Sequence, residues 1–176
     1  MSIYALGRKL LTDKTEIGGR NYVLNSDKSV STDSDNQTDL GTVLLETWQK
    51  LQGRQITLSA IFTWSNFQFG TQGRFGWEAE LKLSNGGDTY IGIWKRNPPL
   101  NSSGSEMLQA TFTVPQNITG ISSSQAYLLA GGNLKIEHLK LEVGEVATDW
   151  SPAPEDVRSQ IRDLQNQINQ LKKVKI

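Results

Sequence analysis

Pro152 and Pro154 divide this chain into two parts that cannot belong to one continuous element. Two prolines in three residues remove backbone donors and fix the dihedral, so neither a sheet nor a helix interior runs through them. Beyond them, VRSQIRDLQNQINQLKKVKI places Val157, Ile161, Leu164, Ile168 and Leu171 at alternating spacings of four and three. That seam, with polar residues elsewhere, is the pattern of helices that wind around copies of themselves. Ser151 or a neighbour as cap, the prolines in the first turn and Glu155 and Asp156 at the positive end predict where the helix starts. Lys172, Lys173 and Lys175 suit its other end. With Ile161 and Ile168 at position a and Val157, Leu164 and Leu171 at position d, the seam by itself favours two strands. Its flanks Gln160, Gln165 and Gln167 are uncharged and specify partner number weakly. A helix this short is marginal alone, so the expectation is that the stalk continues in a longer assembly or is helped by contacts between the β domains.

Ahead of the prolines the chain reads as β. Thr, Ser, Gly, Asn and aromatic residues abound from Asn21 onward, and short alternating runs are separated by turn signals. In residues 54–63, Ile56, Leu58, Ala60 and Phe62 share one face. In 75–83, Phe75, Trp77, Ala79, Leu81 and Leu83 do so, and in 106–114, Leu108, Ala110, Phe112 and Val114. The last run, 133–143, begins with Leu134 and Ile136 on one parity and continues with Leu139, Leu141 and Val143 on the other. A bulge near Glu137 and His138 would restore a single buried face. Several antiparallel strands, each with one polar face, predict a β-sandwich or jelly roll. Residues 25–36, rich in Ser and Asp, read as a surface loop, and Asn97-Pro-Pro-Leu-Asn-Ser-Ser-Gly104 as another. Leu6, Leu10 and Leu11 allow a helical turn that Gly18-Gly19 ends. The expected division is an N-terminal linker or docking segment over 1–19, a β domain over 20–150 and a coiled-coil oligomerisation helix over 151–176.

Bulk properties remove several functions. The 176 residues carry 18 basic and 18 acidic side chains, a formal charge of zero. That balance lacks the basic field that nucleic acids or anionic membranes require, so neither is an expected partner. No apolar run is long enough for a membrane span or a signal peptide. Cysteine is absent and there is one histidine, His138, which excludes thiolate metal sites and His/Cys zinc sites. A Ser-His-Asp arrangement would have to form around His138, and no nucleophile elbow accompanies it. Glu78 and Glu80, on one strand, point in parallel instead of flanking a glycosidic bond from two sides. The chain is therefore not expected to be an enzyme. Asp27, Asp33, Asp35 and Asp39 supply oxygens in a loop without EF-hand spacing. A solvated loop with no metal is the expectation there, a structural calcium the alternative, and no cofactor is expected.

The segment FGWEAELKLSNGGDTYIGIWKR predicts a hairpin around Ser84-Asn-Gly-Gly-Asp88. A two-residue turn would set Leu81 against Tyr90. A three-residue loop at 85–87 instead pairs Leu81 with Ile91 and Ala79 with Ile93, keeping the apolar face dry. The other face then carries Lys82 opposite Tyr90, Glu80 opposite Gly92 and Glu78 opposite Trp94. Tyr90 and Trp94 lie on one side of one strand, with Gly92 leaving a gap between them. Aromatic planes stack on the C–H faces of sugars, while carboxylates and amides fork onto vicinal hydroxyls. Tyr90, Trp94, Glu78, Glu80 and Lys82 are thus candidate glycan contacts, with Trp64, which opens WSNFQFGTQGR, as a further rim residue. The alternative is an ordinary cross-strand-paired surface, with Trp64, Phe67 and Phe69 in core or loop packing. Trp48 is expected in the core, and Trp150 as the plug that docks the departing chain.

Two terminal segments carry a family likeness. GGRNYVLNSD near the start and LKIEHLKLEVGEVATDWSPAPED near the end bracket the β body. They resemble the carbohydrate-binding-like jelly-roll modules of tail and baseplate proteins, receptor-binding or tail-fibre, from phages of Gram-positive bacteria. By that resemblance Asn21 and Asn25 belong to an opening strand, and Glu142, Asp149 and Trp150 to a closing motif, all as framework positions. The resemblance implies a virion structural component, made in the bacterial cytoplasm and placed at the tail tip or baseplate. It implies host cell-wall polysaccharide and other baseplate proteins as partners, and a homotrimer, with a dimer as the alternative that the Ile/Leu seam favours.

Overall fold

The computed structural model of the chain describes residues 18–32 and 36–174, with two short strands ahead of them. Those strands, β1 (Tyr4–Ala5) and β2 (Arg8–Lys9), pair antiparallel. The helical turn expected at Leu6, Leu10 and Leu11 lies outside the described residues.

Eight strands build the body: β3 (Val30–Thr32), β4 (Asn36–Thr38), β5 (Gln55–Gln68), β6 (Arg74–Leu83), β7 (Asp88–Arg96), β8 (Gly104–Thr113), β9 (Ile118–Leu129) and β10 (Gly131–Val143). One sheet has the order β3-β10-β5-β8 and the other β4-β9-β6-β7. Every pairing is antiparallel, and the chain changes sheet at each connection except the β6–β7 hairpin. Two four-stranded layers wound in this way form a jelly-roll sandwich. The layers meet through the faces that alternation identifies. Phe62 from β5 meets Phe75 from β6 edge to face, with ring centroids 5.5 Å apart, among fully buried Ile56, Leu58, Trp77 and Leu81.

Three departures from the sequence reading have local causes. Residues 25–36, expected as a surface loop, contain β3 and the first residue of β4, and Val30 is buried against the core. A three-residue strand with one apolar side chain has too little alternation to be read. The strand β9 was not expected. Its inward residues include small Ser124 and Ala126, and an irregularity between the Glu80–Ser123 and Leu81–Ile121 pairs changes its parity midway. Helix α1 (Leu45–Lys50) was also not expected: it is a single turn and a half that seats Trp48 in the core, the burial expected for that residue.

The bulge expected in the last strand is present. Pairing between β10 and β5 shifts between Glu137 and Lys140, and His138 adopts a φ of 56°. Leu134, Ile136, Leu139 and Leu141 consequently all reach the interior. Helix α2 (Pro154–Val174) begins at the second proline with Glu155 and Asp156 in its first turn. Its seam residues Val157, Ile161, Leu164, Ile168 and Leu171 are 37–67% exposed. The structure therefore contains one helix with an open apolar stripe, and the coiled coil itself is not part of it.

Candidate binding face and closing clasp

The β6–β7 hairpin has a three-residue loop, placed one residue earlier than expected. Leu83 N–H donates to the Gly87 carbonyl at 2.9 Å and Gly86 N–H to the Leu83 carbonyl at 3.0 Å, so the loop is Ser84-Asn85-Gly86. Gly86 takes the left-handed position, with φ of 81°, that ends a type I turn and bulge in such loops. The pairing consequently moves by two residues relative to the expected register. Ala79 faces Ile91, Trp77 faces Ile93, Glu80 faces Tyr90, Glu78 faces Gly92 and Gly76 faces Trp94. A shift of two keeps parity, so each side chain stays on its expected side of the sheet. Ile91 and Ile93 are buried, while Tyr90 is 56% exposed on the outer face.

The corrected register explains where the indole fits. A Cβ on Gly76 would stand 2.8 Å from the Trp94 ring, so only glycine lets the indole lie across β6. Tyr127 of β9, the other neighbour of Gly76, meets Trp94 with centroids 5.7 Å apart. The Trp94 Nε1–H donates to Glu78 at 3.2 Å, and the Arg74 guanidinium covers the ring 4.1 Å from its centroid. Trp94 is therefore half-buried and held from several directions. Tyr90 is freer: its hydroxyl donates to Glu80 at 3.3 Å. The Glu80 charge, first among several causes, raises the phenol above the usual tyrosine range. Lys82, opposite Asp88, closes this end of the face. Tyr127, Gln125 and Ser123 of β9 extend it, joined by a Gln125 to Gln37 hydrogen bond at 3.0 Å. Sequence reasoning missed these three because β9 itself went unrecognised.

Trp64 does not join this face. It is 8% exposed on the inward side of β5, its indole N–H donates to Ser102 at 3.0 Å, and Lys95 covers its ring. Its parity with Phe62 and Ala60 directs it into the sandwich. Phe67 is buried, and Phe69 packs on it edge to face. A cleft of about 340 Å³ between α1 and the foot of α2, lined by Tyr22, Leu44 and Lys50 among others, shares no residue with the Tyr90 face. Among the described residues no group of three His, Asp or Glu side chains is placed to hold a metal ion. Asp33 and Asp35 lie outside the described residues.

Part of the outer face of the β3-β10-β5-β8 sheet is covered by the chain itself. Lys140 and Glu142 of β10 point away from the core yet are almost fully buried, because residues 144–151 fold over them. Lys140 Nζ donates to Thr148 Oγ1 at 2.6 Å and to the Asp149 carbonyl at 2.7 Å. Thr148 in turn donates its backbone N–H and hydroxyl to the Glu142 carboxylate at 2.7 and 2.8 Å. Trp150 stacks on His138 at the bulge, 4.8 Å between centroids. Fully buried Asn21 donates to the carbonyls of Leu139 and Ser151 and to Ser26 Oγ, and it accepts from Val23 and Leu141 N–H. The Asn25 N–H donates to Asp156 at 2.7 Å, and Arg20 pairs with Glu155. Both terminal motifs thus form one clasp that fixes the start of α2 to the sandwich.

The fold and this geometry define an all-β jelly roll with a mixed aromatic and charged outer face and a clasped C-terminal helix. No protein-family model matches the chain, and no curated protein matches it. Among solved structures it is similar to the tripod (BppUct-A-L) from the baseplate of bacteriophage Tuc2009, with a TM-score of 0.49 and 17% identity. The similarity covers 78% of this chain and spans 59% of the length of that one.

Proposed function

We propose that this protein is a structural component of a phage tail or baseplate that contacts host cell-surface polysaccharide. Contact is through the outer face of the β4-β9-β6-β7 sheet. Two kinds of observation support the reading. The terminal segments GGRNYVLNSD and KLEVGEVATDWSPAPED resemble those of phage tail modules, and the clasp gives each a framework role. The observation that carries the binding role is Tyr90, an exposed ring flanked by Glu80, Glu78 and Lys82 on a face with no core to fill. One such site binds a sugar weakly. Association of copies along the open stripe of α2, as a trimer or a dimer, raises apparent affinity by orders of magnitude without new contacts. The role is adhesion and assembly in the virion, not catalysis: Glu78 and Glu80 are engaged by Trp94 and Tyr90 on a single strand.

A second reading is an architectural connector without a sugar site, favoured by the way Arg74, Glu78 and Tyr127 already occupy Trp94. Calorimetry with host cell-wall polysaccharide on the wild type, Tyr90→Ala and Trp94→Ala separates the two. Saturable heat from the wild type that either substitution abolishes supports the adhesion role. No heat from the wild type leaves the connector, and full binding by both variants removes this face as the contact surface.

A further inference from the structure

Arg74 and Arg96 stand directly opposite each other across the β6–β7 ladder, on the same outward side as Tyr90 and Trp94. Like charges in facing positions repel and normally destabilise a sheet. Here both guanidinium groups lie against one indole, 4.1 and 5.8 Å from the Trp94 centroid, which offsets part of that repulsion. Among the described residues no carboxylate pairs with either arginine. Each guanidinium has five N–H donors. Arg74 donates from Nε to Gln72 at 2.8 Å, which leaves most of the donors of the two groups without an acceptor among the described residues. The acids of this face are elsewhere, Glu78 on the Trp94 indole and Glu80 on Tyr90. The face is therefore divided, with two arginines at one end, Glu78 and Glu80 in the middle and Asp88 opposite Lys82 at the other end.

We infer that the Arg74–Arg96 end is the seat for a phosphate group carried by the glycan. The inference rests on the reading of this face as a glycan-contacting surface. A carboxylate offers two oxygens, and one guanidinium fork satisfies both. A tetrahedral phosphate presents oxygens in more than one direction and engages two forks together while neutralising both charges. Beside the pair is a depression of about 440 Å³ lined by Asn36, Gln37, Thr71 and Leu129. Leu129 neighbours Arg74 and Gln37 neighbours Tyr127 in the ladder. Its amides and hydroxyl suit the sugar attached to the phosphate.

The test uses the full chain and two kinds of probe. Titration with inorganic phosphate, followed by NMR at the Trp94 indole N–H and the arginine Nε–H groups, is expected to give saturable shifts. Sodium chloride at matched ionic strength is expected to give none. Arg96→Gln or Arg74→Gln is expected to weaken phosphate binding about tenfold or more, the effect of losing a charged hydrogen bond. Equal shifts in chloride, or unchanged affinity in both variants, overturn the inference. The second arm compares host wall polysaccharide before and after chemical removal of phosphate. Tighter binding of the phosphate-bearing form, lost in Arg96→Gln, supports it. Equal binding of both forms overturns this inference and leaves the proposed function standing, whereas binding of neither overturns both.

Discussion

Lys140 and Glu142 form an ion pair, 3.5 Å from nitrogen to oxygen, with side chains 1% and 0% exposed on a sheet face that points away from the core. Two charges so placed are desolvated only because residues 144–151 return across them, and each is held by hydrogen bonds from or to Thr148. Removing one partner strands the other. Lys140→Met is expected to lower unfolding free energy by about 3–5 kcal/mol, and Lys140→Met with Glu142→Leu by clearly less. Urea denaturation of the two variants checks this. A double variant as unstable as the single one counts against the clasp.

Gly76 and Gly86 are both required, for different reasons. A Cβ at Gly76 meets the Ile93 carbonyl at 2.2 Å and the Trp94 ring at 2.8 Å. Gly76→Ala is therefore expected to cost about 1–3 kcal/mol, as overpacking does, and to shift the Trp94 indole N–H resonance. Gly86 has open space around it but a φ of 81°. Gly86→Ala is expected to cost about 1–2 kcal/mol through backbone conformation alone. The Trp94 resonance should stay in place.

Titration of Tyr90 reports on its neighbour. The Glu80 charge, ahead of smaller contributions including Asp88 and Glu78, raises the phenol. The folded chain thus holds this proton more tightly than the unfolded one. The associated stabilisation is complete below the unfolded tyrosine value and fades as pH rises through the folded one. Glu80→Gln is expected to bring Tyr90 back towards the ordinary range. The difference between tyrosinate absorbance titrations of each protein and its Tyr90→Phe counterpart isolates the residue. An unchanged midpoint in Glu80→Gln would remove Glu80 as the cause.

The open stripe of α2 gives a further test. Ile161→Asp with Leu164→Asp is expected to abolish self-association measured by light scattering on size exclusion. The melting temperature of the sandwich should move little, because both side chains are exposed and away from its core. Association that survives the double substitution assigns it to the β domain.

The parts of the fold that alternation governs were legible in the sequence. Ile56 to Phe62, Phe75 to Leu83 and the parity change at His138 each identify a buried face, because one sheet side must be apolar over several residues. The hairpin shows how far such reasoning reaches. Parity gave the side of every residue, but pairing depended on which glycine takes the left-handed position, and Asn85-Gly86-Gly87 offers two. Of the two readings for Trp64, rim or core, the structure shows the core, because β5 continues past the 54–63 run and carries the parity of Phe62 through Trp64. The resemblance made Glu142 a framework position, but nothing local to Lys140 or Glu142 announces that a later segment will cover them. The Arg74–Arg96 juxtaposition was equally hidden until the register was known.

Because Asn21, Asn25 and Arg20 anchor the root of α2, the helix leaves the sandwich in a set direction and does not trail from it. Tension along the helix would reach the inner strand β10 only after the Lys140–Glu142–Thr148 closure had parted. A pull on the helix would strain that closure before it disturbed the aromatic face on the opposite layer.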